Sequence, residues 1–235
     1  MKIGIIAAME EEVRFLVETL TQKQQTTIAN QVFYEGMIDD IDVVVVQSGI
    51  GKVNAALATT LLIDHFKSTF VINSGSAGGI GEGLKVGDLV VSSQLTYNDA
   101  DATAFGYKFG QIPQMPETYS VDKNAYELTK ETGEELGWTV HVGEIVTGDS
   151  FIASQDRISE IKNYFKEALV TEMEGAAVGQ TCFQFNVPFI VIRAVSDTGD
   201  EEANVTFDEF IIQAGKDSAS LVIHLIKNMK ALNQK

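Results

Sequence analysis

Apolar residues follow two rhythms along this chain. Short continuous runs alternate with segments in which apolar positions recur every three to four residues, the signatures of buried strands and of amphipathic helices. Residues 2–8 (KIGIIAA) read as a strand and 9–20 (MEEEVRFLVETL) as a helix. Residues 27–38 and 41–49 read as a hairpin turned by Asp39 and Asp40. A helix over 52–66 is followed by strands over 70–75 (FVINSG) and 87–97. Then come a helix over 123–137, a strand over 138–148, and a helix over 154–165 capped by Ser154. Arg157 occupies the third helical position, so this cap is not a capping box. A strand over 168–173 (ALVTEM), a helix over 174–185, a strand over 188–196 and a long helix over 208–232 complete the chain. Several strands are apolar without alternation, as in a sheet covered on both faces. The pattern predicts an α/β fold, a three-layer α-β-α sandwich around a central mixed sheet, mixed because of the early hairpin. No repeat, linker or low-complexity stretch interrupts it, and a single domain over 1–235 is expected.

Composition narrows the function. The formal net charge is −16 and the isoelectric point near 4.5, which opposes binding to nucleic acid or to an anionic membrane. No apolar run approaches the ~18 residues of a membrane span. The start reads as a strand rather than a signal peptide, because acids follow where a cleavage site would lie. The mature protein is therefore expected to begin near Met1. The lone cysteine, Cys182, forbids an internal disulfide and suits a cytoplasmic setting. His65, His141 and His224 lack ligand spacing, so no metal site is expected.

In sheets of this kind ligands bind at the carboxyl ends of strands. Four such ends carry unusual chemistry: Met9 to Glu12; the glycine-rich SGSAGGIGEG after FVIN; Glu172-Met173-Glu174; and Ser196-Asp197. At 100° per residue Met9, Val13, Leu16 and Leu20 share a helix face. Glu11 points away from it, while Glu10 and Glu12 flank it equally. An acidic first helical turn also has a purely structural explanation in the helix dipole. The glycines match neither a G-x-G-x-x-G fingerprint nor a P-loop: Gly49 and Gly51 are followed by Asn54, Gly79 and Gly81 by Leu84, and Gly51-Lys52 by valine. A nucleotide-dependent oxidoreductase is thereby excluded. Arg193, inside the otherwise uncharged FIVIRAVS, needs a buried partner, and Glu172 and Glu174 are both candidates.

Taken together, the segments IGIIAAMEEEV, QSGIGKVNAA, NSGSAGGI, DADATAFGYKFGQIP, GDSFIAS, VTEMEGAAVGQ and VIRAVSD resemble the 5'-methylthioadenosine/S-adenosylhomocysteine nucleosidases, hydrolases of the purine nucleoside phosphorylase superfamily. The resemblance runs nearly end to end. It implies cleavage of the N-ribosidic bond of methylthioadenosine, S-adenosylhomocysteine and 5'-deoxyadenosine in methionine salvage, without a cofactor. It implies that Glu12 activates the attacking water, Glu174 holds the ribose hydroxyls, and Asp197, oriented by Ser196, serves N7 of adenine as an acid. Arg193 and Ser76 would help hold ribose or water, with Ala77 and Gly78 also against the substrate. Phe151 would stack on the base and the Ile152 backbone would read its edge. Met9, Ile50, Met173 and Phe207 would line the ribose and thioether pocket. In a homodimer the aromatic segment after Tyr97 would close the neighbour's pocket with Ala102, Phe105 and Pro113. Two positions depart from the family pattern: Gly175 stands where alanine or serine is expected, and Ala102 where some relatives carry a larger aliphatic residue. Ala102 and the acidic loop GDEEANVT bear on substrate preference.

The implied chemistry is coherent. An aspartic acid with an ordinary pKa of about 3.9 must be buried to stay protonated near neutrality, and a three-unit rise costs about 4 kcal/mol. An ionised Glu174 would stabilise the oxocarbenium-like sugar. The rivals are a phosphate-dependent phosphorylase, which would need cationic partners for the anion, and a non-catalytic nucleoside-binding protein on the same fold.

Overall fold

The structure is a computed structural model that describes residues 1–199 and 202–233. Strand β1 (Lys2–Ala7) leads into helix α1 (Glu10–Thr19), and a meander follows: β2 (Thr21–Ile28), β3 (Gln31–Ile38) and β4 (Ile41–Gln47). Helix α2 (Lys52–Thr60) runs on through a π turn at Leu61–His65 to β5 (Phe70–Gly79) and β6 (Leu89–Tyr97). After an irregular segment come β7 (Tyr119–Ser120), α3 (Lys123–Glu135), β8 (Val140–Thr147) and α4 (Gln155–Tyr164). The chain ends with β9 (Ala168–Glu172), α5 (Gly175–Phe185), β10 (Phe189–Asp197) and α6 (Ala203–Asn233).

The expected mixed sheet is present, flanked by α1, α3 and α6 on one side and by α2 and α5 on the other. The strands run in the order β2-β3-β4-β1-β5-β9-β8-β6-β10, and β10 also pairs with β5. That last pairing closes β5, β10, β6, β8 and β9 into a ring, from which β1, β4, β3 and β2 extend as an open arm. Strand β5 belongs to both parts. Its first half pairs with β1, its other edge follows β10 from Val71 to Gly78, and its last residues meet β9. No helix among the described residues is long and apolar enough to cross a membrane.

The apolar runs explain the core. Ile3, Ile5, Ile6, Val43 to Val46, Val71, Ile72 and Ile190 to Ile192 are buried with side chains on both sheet faces. Each contributes about 1.5–3 kcal/mol relative to exposure. Helix α5 is able to sit close against the ring because it presents Gly175, Ala176, Ala177 and Gly179. A β-carbon at Gly179 would stand 3.1 Å from the Phe189 ring.

Several boundaries differ from the sequence pattern. Strand β2 begins at Thr21, where TQKQQTT offers no apolar alternation, because this edge strand is exposed on both faces. Its turn to β3, at Ala29 and Asn30, and the expected turn at Asp39 and Asp40 both use positive φ, as tight hairpins require. Helix α6 starts at Ala203, earlier than the periodicity at 208 suggests, which places Phe207 inside it.

Candidate active site

The ends of β1, β4, β5, β8, β9 and β10 and the start of α6 surround one cleft. It is lined by Ala8, Met9, Glu12, Ile50, Ser76, Ala77, Gly78, Ser150, Phe151, Ile152, Thr171, Glu172, Met173, Glu174, Ser196, Asp197 and Phe207. Every expected residue of the subunit's own site is therefore here except Arg193, which lies behind the wall. Ala8, Ser150, Thr171 and Glu172 join them; nothing in their residue types or spacing marked the first three.

Burial separates the first-turn acids: Glu10 is exposed, whereas Glu12 is only 3% exposed. The Glu12 carboxylate folds back over the start of its own helix. One oxygen accepts the N–H groups of Ala8 and Met9 at 3.0 and 3.1 Å. The other accepts the Ser76 N–H at 2.9 Å and its hydroxyl at 3.1 Å. The carboxylate is thus anchored both to the residues that follow β1 and to β5.

A bulge aims Asp197. Between β10 and β5, Val195 faces Ala77 and Asp197 faces Gly78, so Ser196 is the extra residue. The Ser196 hydroxyl donates to Asp197 Oδ2 and the Gly199 N–H to Oδ1, both at 2.9 Å. A β-carbon at Gly78 would stand 3.1 Å from Asp197 Oδ1, so glycine there lets the two strands and the carboxyl group come together.

Strand β9 ends at Glu172, and Glu174 belongs to the turn that starts α5. The two acids consequently do different things. Glu174 accepts the Gly51 N–H at 2.8 Å on Oε1, and its Oε2 lies 3.4 Å from Arg193 Nη2. Glu172 bonds Arg193 Nη2 and the Thr147 hydroxyl. Arg193, 1% exposed, also donates from Nη2 to Asn73 Oδ1 at 2.6 Å. Burial raises Glu174 to about 7; Glu172 and Glu12 push the same way, against Arg193 and the Gly51 N–H. Among the described residues that line the cleft there is no lysine or arginine. No cluster of His, Cys, Asp or Glu among the described residues is arranged to hold a metal ion.

Phe151, half-exposed, meets the edge of Phe207 across the mouth at 5.7 Å. Lys52 ties three loops there. Its ammonium contacts both Asp99 oxygens at 2.7 and 2.8 Å, and its backbone N–H donates to Asp149 at 2.8 Å. Ala102, Phe105 and Pro113 lie away from this cleft, on the segment after β6, and Phe105 is 84% exposed. Asp200 and Glu201 of the acidic loop lie outside the described residues.

Known proteins resemble this chain in sequence and in fold. The sequence model of the Phosphorylase superfamily matches residues 2–227. A 5'-methylthioadenosine/S-adenosylhomocysteine nucleosidase of an Exiguobacterium species is 51% identical over 98% of this chain and 99% of its own. The S-adenosylhomocysteine nucleosidase of Streptococcus pyogenes, solved in complex with 5-methylthiotubericidin, superposes with a TM-score of 0.95 at 45% identity, covering 97% of both chains. The 5'-methylthioadenosine/S-adenosylhomocysteine nucleosidase of S. pneumoniae, solved with the transition-state inhibitor MT-ImmA, superposes at 0.94 with 46% identity, over 97% of this chain and 99% of that one.

Proposed function

The chain belongs to the Phosphorylase superfamily and, within it, to the 5'-methylthioadenosine/S-adenosylhomocysteine nucleosidases, and from that membership we propose that it hydrolyses the N-ribosidic bond of both nucleosides. The products are adenine and the 5'-substituted ribose. The observation that carries this reading is the convergence of Glu12, Glu174 and Asp197, each no more than 4% exposed, on one largely apolar cleft.

In this mechanism the nucleoside lies with adenine toward Asp197, Phe151 and Ile152 and with ribose over Met173 and Glu174. Asp197 gives a proton to N7, so the base departs as neutral adenine. Positive charge grows on the sugar as the bond to N9 lengthens, and ionised Glu174 at the ribose hydroxyls stabilises it. Water attacks C1' from the opposite face, and Glu12 takes its proton. Ser76 fixes the Glu12 oxygen that faces the water. Met9, Ile50 and Phe207 shield the sugar and the thioether, and Ala77 and Gly78 pack against the base.

Phosphate is a poor nucleophile for this cleft. Arg193 lies behind the cleft wall with its Nη2 bonded to Glu172 and Asn73, and Glu12 would repel an anion. Adenine release from methylthioadenosine should therefore proceed equally with and without phosphate, and a strict phosphate requirement would overturn hydrolysis.

The same reading extends to 5'-deoxyadenosine as a substrate, to methionine salvage and to one hydrolase domain over 1–235. The single buried thiol supports a cytoplasmic setting. A homodimer is proposed from exposed Val53, Leu57, Phe105 and Phe183 and from the groove between α2 and α5. Ala102, Phe105 and Pro113 would then complete the neighbour's pocket. A sedimentation measurement that finds a fully active monomer would reject the dimer.

A further inference from the structure

Glu172 is a carboxylate of the cleft wall with no place in the mechanism, and its bonds point into the protein. Oε1 accepts the Thr147 hydroxyl, which itself accepts the Ala176 N–H at 2.8 Å. Oε2 accepts the N–H groups of Glu174 and Gly175 at 2.9 and 2.7 Å and also contacts Arg193 Nη2. One donor on Oε1 and three crowded on Oε2 turn the whole carboxylate inward. Glu174 is the complement. Its Oε1 is satisfied by Gly51, but its Oε2 stands 3.4 Å from the guanidinium, longer than the ~2.7–2.9 Å of a full charge-assisted bond.

We propose that Glu172 is the positioning residue of the ribose-binding carboxylate: it takes up Arg193 and the Glu174 backbone N–H, and so leaves Glu174 Oε2 for the ribose hydroxyls. The inference rests on the reading of Glu174 as the ribose ligand. A buried guanidinium beside a single carboxylate closes a tight ion pair with it. With Glu172 present, the guanidinium is drawn to the carboxylate behind the wall, and the one in front keeps an open oxygen. The bond from the Glu174 N–H adds direction. It pins the turn between β9 and α5, so the Glu174 side chain leaves the backbone toward the cleft rather than along the strand. Gly175 belongs to the same device, since a β-carbon there would stand 3.0 Å from Glu172 Oε1.

The groups that face Glu174 are Arg193 from β10, Glu172 from β9, Glu12 from α1 and the Gly51 N–H before α2. Removing the Glu172 charge lets Arg193 turn fully to Glu174, and both changes favour its ionised form.

The test is Glu172→Gln, with methylthioadenosine as substrate and adenine as product inhibitor. The nucleoside KM should rise about tenfold while the inhibition constant of adenine, which has no ribose, stays within about twofold. The acidic limb of kcat/KM should move about one unit to lower pH. Thr147→Val keeps the charge and loosens one anchor, and it serves if Glu172→Gln does not fold. It should raise the nucleoside KM about threefold without moving the acidic limb. A parental KM in the folded variant, or equal losses of nucleoside and adenine affinity, overturns the proposal. A Glu174→Gln enzyme measured in parallel separates the two ideas: undiminished turnover there would sink the reading of Glu174 itself.

Discussion

Replacing Gly75 by alanine adds one methyl group between two buried charges of the site, Arg193 and Glu12. Gly75 lies in β5, paired with Arg193 of β10, and its N–H donates to the Ser218 hydroxyl of α6 at 3.2 Å. Its backbone φ is ordinary, so the substitution acts through space alone. The new β-carbon would collide with Arg193 Nη1 and stand 2.8 Å from Glu12 Oε1 and 3.1 Å from its Cδ. Neither neighbour has an escape to solvent, at 1% and 3% exposure. Overpacking of this kind costs about 1–3 kcal/mol. Glu12 is the softer partner, and a shift that strains its bonds to Ser76 weakens contacts worth about 1.5–3 kcal/mol each for a charged acceptor. A total loss near 3 kcal/mol leaves the protein folded and lowers its melting temperature by about 6–12 °C. On the proposed role of Glu12, catalysis should suffer more in proportion, because a base displaced by about 1 Å loses about a hundredfold in rate. The assay is initial-rate adenine release from methylthioadenosine, together with a thermal melt. Gly83→Ala is the control: Gly83 has φ +82° but no atom within 4 Å of the added carbon, so it should lose about 1 kcal/mol of stability and no activity. A Gly75→Ala enzyme with kcat within about threefold of the parent would refute the argument that close packing holds Glu12 in place.

Glu174→Gln and Asp197→Asn should each lower kcat by at least about a hundredfold, with adenine binding kept in the first, and both losses should exceed that of Glu172→Gln. Stability should respond to pH through Glu174. Its folded pKa of about 7 lies above the ordinary 4.5, so its contribution is complete below pH 4.5 and is lost as pH rises through 7. Urea unfolding should therefore show Glu174→Gln losing less stability than the parent between pH 5 and 8, by on the order of 3 kcal/mol at 1.36 per unit; parallel curves would contradict it. Lys52→Met should raise the nucleoside KM about fivefold with a small change in melting, because a partly exposed pair contributes about 1 kcal/mol or less; an unchanged KM would remove Lys52 from the organisation of the mouth.

What could be read from the chain follows from what burial imprints on it. Strands β1, β4, β5 and β10 announce themselves because both faces are covered, and the cleft forms where their apolar runs stop. Strand β2 left no trace, since an exposed edge asks nothing of its side chains. The closure of β10 onto both β5 and β6 is equally silent, because either neighbour accepts the same apolar strand. Periodicity could not choose between Glu10 and Glu12; the choice lies in a carboxylate that turns back on its own helix start. Two positions apart, Glu172 and Glu174 would share one face of a continuous strand, but the strand stops between them and the helix start redirects the second. Ala8, Ser150 and Thr171 shape the cleft through backbone and bulk that no motif records.

The ring of five strands also governs when the protein becomes an enzyme. Its closing member, β10, is the last strand of the chain, and it inserts between two strands made long before it. Until it arrives, β5 and β6 keep open edges, and Glu12 waits for both Arg193 and Asp197. Non-local pairing of this kind is slow, and a growing chain on the ribosome has no partial site to use. Activity should consequently appear in a single step with ring closure, which makes the return of adenine release during refolding a clock for the slowest event in the assembly of the fold.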